Sequence, residues 1–344
     1  MEFNWGIKFD AQCKLCHSVV SKALVSKLKP GTCVDFNRMA GIPAAALKTQ
    51  YWYDLTGSST FAILALASVG LVGSSVSFQH CIVATAVLLW AARLGSFLFI
   101  RIIGDGGVDH RLSKYSDKPI AFILGPWTVQ GMWVAATMLP VLVLFAGESA
   151  AISASSGALF GRLMSMPLLV AAGWQQLLEV TNVSGGILGR LGELPIPLQV
   201  LLCVWLLAYI VQFSADEGKR QFKAVPKNHG KFIRSGIWTW SQHPNYAGEL
   251  VMWHALGCAA CYVAYTSPTH VLSGSPLAFV SLAGPFMEAL LIIFVSGVPL
   301  LDKAAAKKWG GNSNWLAYAK NTPVLFPCCP AFPRRPTEYV HKSE

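Results

Sequence analysis

Charged residues are scarce in this chain: they make up 13% of 344 residues, against 53% hydrophobic, about half the charged share of soluble domains. That shortage excludes a water-soluble domain. Disulfide-forming pattern is missing too, because the nine cysteines are odd in number and several lie inside apolar runs, so no disulfide framework follows. His80, His254 and His270 form no metal spacing with one another, and no metal is assigned. The start lacks the short basic-then-apolar pattern of a secretory signal, so the first span is expected to serve as signal and anchor together. There is no internal repeat, and no low-complexity tract beyond the Ala/Ser-rich 149–158.

What the chain has instead is apolar runs long enough to cross a bilayer, about 20 residues each. They fall at about 55–75, 81–103, 121–147, 196–215, 247–266 and 276–299. In lipid the backbone polar groups must pair within the segment, which demands helices rather than open sheet. A weaker run, 163–180, carries Gln175, Gln176 and Glu179, which are costly at mid-bilayer unless they face protein. The net charge of +10 reads as topology, since cytosolic loops collect Lys and Arg. The 104–120 loop, with Arg111, Lys114 and Lys118, is basic, and so is 216–236. If both are cytosolic, an even number of spans separates them, and 163–180 is then re-entrant or interfacial. The expected fold is all-α: a polytopic transmembrane helical bundle of about six spans plus that one segment. Residues 1–50 form a cytosolic arm, 51–328 the membrane domain and 329–344 a cytosolic tail. Asn182-Val183-Ser184 is a glycosylation sequon on the permitted side. Basic residues lie between spans rather than on one surface, so no nucleic-acid partner is expected.

Chemistry concentrates in 235–249, which reads Ser-Gly-Ile-Trp-Thr-Trp-Ser-Gln-His-Pro-Asn-Tyr-Ala-Gly-Glu. Pro244 disfavours helix at His243 but suits a first helical turn, so the fifth span begins there. Asn245 and Glu249 are four apart on one face, and Tyr246 stands beside them. Such a polar group at the start of an apolar helix either lines a site or caps the helix with an interfacial aromatic. Upstream, Asp216, Lys219, Arg220 and Lys223 follow a helical spacing and form one charged stripe at the end of the fourth span. Its cations could hold phosphates and its carboxylate an amide or a ribose hydroxyl; the alternative is a solvated, positive-inside helix end.

These residues resemble a family. Asp216 through Lys223, then Asn228-His229-Gly230-Lys231-Phe232-Ile233-Arg234-Ser235-Gly236-Ile237-Trp238, then His243-Pro244-Asn245-Tyr246-Ala247-Gly248-Glu249 are similar to the steroid 5-alpha-reductase-like membrane oxidoreductases, nearest their uncharacterised branch. Tyr53-Asp54-Leu55-Thr56-Gly57, Arg93-Leu94-Gly95, Arg101, Tyr318, Thr322 and Pro327 agree, so the resemblance covers roughly 50–328. It implies a bundle that binds NADPH from the cytosolic side and reduces a carbon–carbon double bond in a sterol or other lipid. Asn245 and Asp216 would hold the nicotinamide and its ribose, with His243 part of the same grip. Lys219, Lys223 and Lys231, with Arg93 and Arg101 as further candidates, would neutralise phosphates. Tyr246 and Glu249 would close the pocket at the reacting end, Tyr246 as a proton donor. The implied location is an internal membrane such as the endoplasmic reticulum if the source is eukaryotic.

The chain departs from that pattern in places. Gln212 stands where relatives often carry a carboxylate, the first span lacks a membrane glutamate, and Trp90 stands near where steroid-converting members place a tyrosine. These departures leave reductase chemistry in place and count against a 3-oxosteroid substrate. Two alternatives stay open: an S-adenosylmethionine-dependent membrane methyltransferase of the isoprenylcysteine or phospholipid type, and a lipid-binding relative without turnover. Against the methyltransferase stand Asn245, Asp216 and the absence of a Glu-Glu pair after the last span, where Leu301-Asp302-Lys303 occurs. Cys13-Lys14-Leu15-Cys16-His17 matches a haem-attachment pattern, but that chemistry belongs outside the cytosol, so chance or a zinc half-site is the better reading. Cys328 and Cys329 could carry a lipid or be a plain exposed pair.

Overall fold

The computed structural model describes residues 30–104, 106, 107, 109, 112, 115, 117–146, 159–181 and 186–328. The Cys13-Cys16-His17 pattern, Arg111 and Lys114, the 149–158 tract, the Asn182 sequon and Cys329 lie outside the described residues. Among the described residues every regular element is helical. In chain order these are α1 (Pro30–Ala46), α2 (Tyr53–Val72), α3 (Phe78–Gly104), α4 (Pro119–Thr137), α5 (Leu139–Ala146), α6 (Leu159–Thr181), α7 (Gly186–Gly192), α8 (Ile196–Ala224), α9 (Pro244–Thr266), α10 (Ala283–Leu290), α11 (Val298–Trp309) and α12 (Ser313–Asn321). Among the described residues six stretches are long and apolar enough to cross a membrane: α2, α3, α4, α8, α9 and the composite Pro276–Trp309. The all-α polytopic bundle expected from the apolar runs is what forms.

The chain divides into two units: one runs up to Pro195 and adds Gly257–Gly284, and the other holds Ile196–Leu256 and the chain from Pro285 onward. In the first unit α2 is the hub. It runs antiparallel to α3, with Ser58 against Gly95 and Phe61 edge-on to Trp90 at 4.8 Å. Trp90 is therefore packed core. Along α4 the order is parallel, Tyr53 meeting Trp127, Gly57 meeting Gln130 and Phe61 meeting Trp133. A π-helical turn at Ile123–Trp127 loosens the backbone ladder there, and the Tyr53 hydroxyl donates to the Pro126 carbonyl at 2.9 Å. At the same end Arg101 pairs with Asp54 at 3.0 Å. Helix α1, though too short for a span, lies on α4: Gly41 faces the Trp127 ring and Gly131 the Val34 backbone.

The 163–180 run is one uninterrupted helix, α6, laid alongside α2. Thr60, Ile63 and Leu64 share a hollow with Met166, Pro167 and Val170, and farther on the Gln176 amide reaches the carbonyls of Val69 and Gly73. The two helices therefore run in the same direction. Between these points Gly70 and Gly173 bring the backbones together: a Cβ on either would collide with the carbonyl of Leu169 or Leu66. Small residues at such crossings let membrane helices approach closely. The polar residues that made this run costly are thereby placed. Gln176 caps carbonyls at the end of α2, and Gln175 donates to Glu179 at 3.0 Å on the exposed face.

Contacts at one end relate α6 to its neighbours. His80, near the start of α3, meets Phe145 near the end of α5 at 4.9 Å. Arg190 lies over the Phe78 ring and donates to the Val180 carbonyl at the end of α6. Helices α5 and α6 thus finish at the same end of the unit.

The crossing gives a stability prediction. Gly173→Val should cost about 1–3 kcal/mol through overpacking, read as a lower thermal midpoint in detergent. Gly189→Ala, where nothing lies within 4 Å of the new carbon, should stay within about 0.5 kcal/mol. Equal midpoints for both would remove the crossing as a structural contact.

Candidate functional site

The second unit carries the chemistry-bearing motifs. Helix α8 is apolar through Phe213 and then turns polar, leaving Asp216, Lys219 and Lys223 on its last turns. The chain after it folds back in short turns, helped by Gly230 and Gly236, whose φ angles of 78° and 61° suit glycine. Trp238 anchors this return. Its indole donates to the Ala215 carbonyl at 3.1 Å, its ring packs with Ala215 and Ile233, and Lys219 sits 4.8 Å over it. The C-terminal part of the unit holds the same loop from the other side. Tyr318 donates to the Trp238 carbonyl at 2.7 Å, Gln242 donates to the carbonyls of Ala319 and Thr322, and the His243 amide donates to Val324.

These anchors leave a pocket of about 520 Å³, within the usual range of small-molecule sites, about 300–1,000 Å³. Lys219, Lys223, Lys231 and Lys308 supply cations to its lining, while Trp238, Trp309, Trp315 and Tyr318 supply rings. At its wall His243 Nε2 and Asp302 Oδ1 are 3.0 Å apart, and both residues are buried. The imidazole also stacks on Tyr246, with ring centroids 5.8 Å apart. Held by a carboxylate on one side and a ring on the other, His243 has a fixed orientation.

Beside the pocket, α8 and α9 are joined by two polar rungs. Asn245 Nδ2 donates to Asp216 Oδ1 at 3.1 Å, and one turn farther into the apolar part Gln212 Nε2 donates to Glu249 Oε2 at 2.7 Å. Gly248 makes this possible, since a Cβ there would lie 2.8 Å from the Ala208 carbonyl. Glu288 of α10 lies beside Glu249 and is 1% exposed.

The structure sorts the residues singled out from sequence into groups. Lys219, Lys223, Lys231 and His243 line the pocket, and Asp216, Asn245, Tyr246 and Glu249 lie next to it within the same unit. Arg220 of the stripe pairs with Glu217 at 2.6 Å instead. Arg93 and Arg101 lie on α3 in the first unit, where Arg101 is engaged by Asp54. Sequence reasoning passed over Lys308, Trp309 and Trp315, and it read Asp302 only as a missing motif. It also missed Glu288, which could have been found as a lone carboxylate inside an apolar run. Pro244 opens α9, as its lack of an N–H dictates.

A family model, described as a protein of unknown function (DUF1295), matches residues 42–182 and 196–322. The chain belongs to the DUF1295 family. This is a family of the steroid 5-alpha-reductase-like kind, and the matched DUF1295 residues include every element of the pocket and both rungs. No curated protein and no solved structure matches this DUF1295 chain.

The His243–Asp302 pair is the testable joint. Asp302→Ala leaves a buried ring nitrogen without its partner, and should cost about 1–3 kcal/mol, read as a fall in the thermal midpoint in detergent. Lys308→Ala, at an exposed position, should shift stability by less than about 0.5 kcal/mol. An unchanged midpoint in Asp302→Ala would make the pair incidental.

Proposed function

We propose that this membrane protein is an NADPH-dependent reductase of a carbon–carbon double bond in a sterol or other lipid. The observation that carries the reading is the pocket itself, where four lysines and several aromatic rings face one hollow beside the Asp216–Asn245 rung. A dinucleotide needs such a surface: cations for its phosphates, rings for its bases, and an amide–carboxylate pair for the nicotinamide and ribose. The residues present fit the cofactor. Lys219, Lys223 and Lys231, joined by Lys308, would neutralise phosphate charge as point cations. Asn245, held by Asp216, would offer its amide to the nicotinamide, and His243 is kept in one orientation by Asp302.

Bound NADPH would supply a hydride to one carbon of a polarised alkene. The chain's own residues then orient the lipid, exclude water and deliver a proton to the neighbouring carbon. Tyr246, stacked on His243 at the start of α9, is the proposed donor. Glu249, fixed by Gln212, closes the site on the apolar side. The expected setting is an internal membrane, the endoplasmic reticulum in a eukaryotic source.

The test is binding before turnover. Purified full-length protein should bind NADPH and not S-adenosylmethionine. Each of Lys219→Ala, Lys223→Ala and Lys231→Ala should weaken NADPH by about tenfold, as the loss of one charge-assisted bond implies. With total membrane lipid added, the wild type should consume NADPH. Binding of S-adenosylmethionine alone would establish the methyltransferase class, and NADPH binding with no consumption would establish the non-catalytic one. Unchanged NADPH affinity in all three variants would take the cofactor out of this pocket.

A further inference from the structure

The buried polar groups between α8, α9 and α10 are unbalanced in kind. Gln212 is 1% exposed, and its nitrogen is used on Glu249 while its oxygen has no hydrogen-bond partner among the described residues. The carboxyl of Glu288, likewise 1% exposed, has Glu249 beside it and no donor facing it among the described residues. Every unmatched atom in the set is an oxygen able to accept. A single proton held between Glu249 and Glu288 would satisfy one of these positions and leave the others as acceptors. Buried polar groups are ordinarily paired, and intramembrane carboxyls persist where something meets them.

We propose that Glu288, with Gln212, forms a subsite for the polar end of a lipid that donates hydrogen bonds, a hydroxyl or an ammonium group. The excess of acceptors decides the class. A ketone or ester oxygen would add one more acceptor to a set that already lacks donors, whereas a hydroxyl or ammonium hydrogen would pair with it. Calling this lipid a substrate rests on the reductase reading, but its recognition does not.

The experiment uses full-length protein in detergent without cofactor and matched lipid probes, with affinities from native mass spectrometry. Cholesterol is compared with cholest-4-en-3-one, and oleyl alcohol and oleylamine with oleyl methyl ether. The donor-headed member of each pair should bind about tenfold more tightly, the worth of one to two net hydrogen bonds. In Glu288→Gln, which keeps the shape and supplies its own donor, that preference should fall several-fold. Equal wild-type affinity within each pair would overturn the proposal without reference to any variant. So would an undiminished preference in Glu288→Gln that elutes as a single folded species. A stronger response to oleylamine than to oleyl alcohol assigns an ammonium head, and the reverse assigns a hydroxyl. NADPH binding measured on the same sample separates the two ideas: a donor preference without NADPH binding keeps this subsite and removes the reductase.

Discussion

The close approach of α8 and α9 governs the second unit. Two helices meant for lipid gain nothing from burying apolar side chains against each other, because acyl chains are as apolar as leucine. Packing and polar contacts must hold them instead. Gly248 brings the backbones near enough for Asp216 to meet Asn245 and Gln212 to meet Glu249. Once those rungs form, the cationic last turns of α8 are committed to one orientation. The return loop can then seat Trp238 on Ala215, and the pocket wall follows from that seat.

The two units solve the same membrane problem differently. The first relies on aromatic edges and glycine crossings, with polar side chains spent on stray backbone carbonyls such as those of Pro126, Val69 and Gly73. The second also buries the carboxyls of Asp216, Glu288 and Asp302. Conserving backbone satisfaction is enough for a scaffold, whereas buried carboxyls serve stability poorly when removal of one partner leaves a charge unpaired. Buried carboxyls on its helices are therefore what sets the second unit apart among the described residues.

Much of this was legible in the residues. Six apolar runs became six span-length helices among the described residues because lipid permits little else. Pro244 marked the start of α9 through its missing N–H. Lys219 and Lys223 reached the pocket because helical spacing put them on one face. Where spacing failed, the reason was long range. Arg220 satisfies the same periodicity but finds Glu217 on its own helix, and Asp302 joins His243 across 59 residues of chain. No local pattern records either choice. Glu288 was visible as an oddity, but its meaning depends on Glu249, which only tertiary packing brings beside it.

The C-terminal clasp has a consequence for synthesis. His243 and Gln242 give their backbone amides to Val324 and Pro323, so the loop that walls the pocket is tied down by almost the last described residues of the chain. A ribosome releases those residues long after α8 and α9 have entered the membrane. Until then the lysine-lined hollow has no fixed floor, because Lys308, Trp309, Trp315 and Tyr318 of its lining arrive with the same late segment. The shape of the hollow therefore waits on the chain as far as Val324.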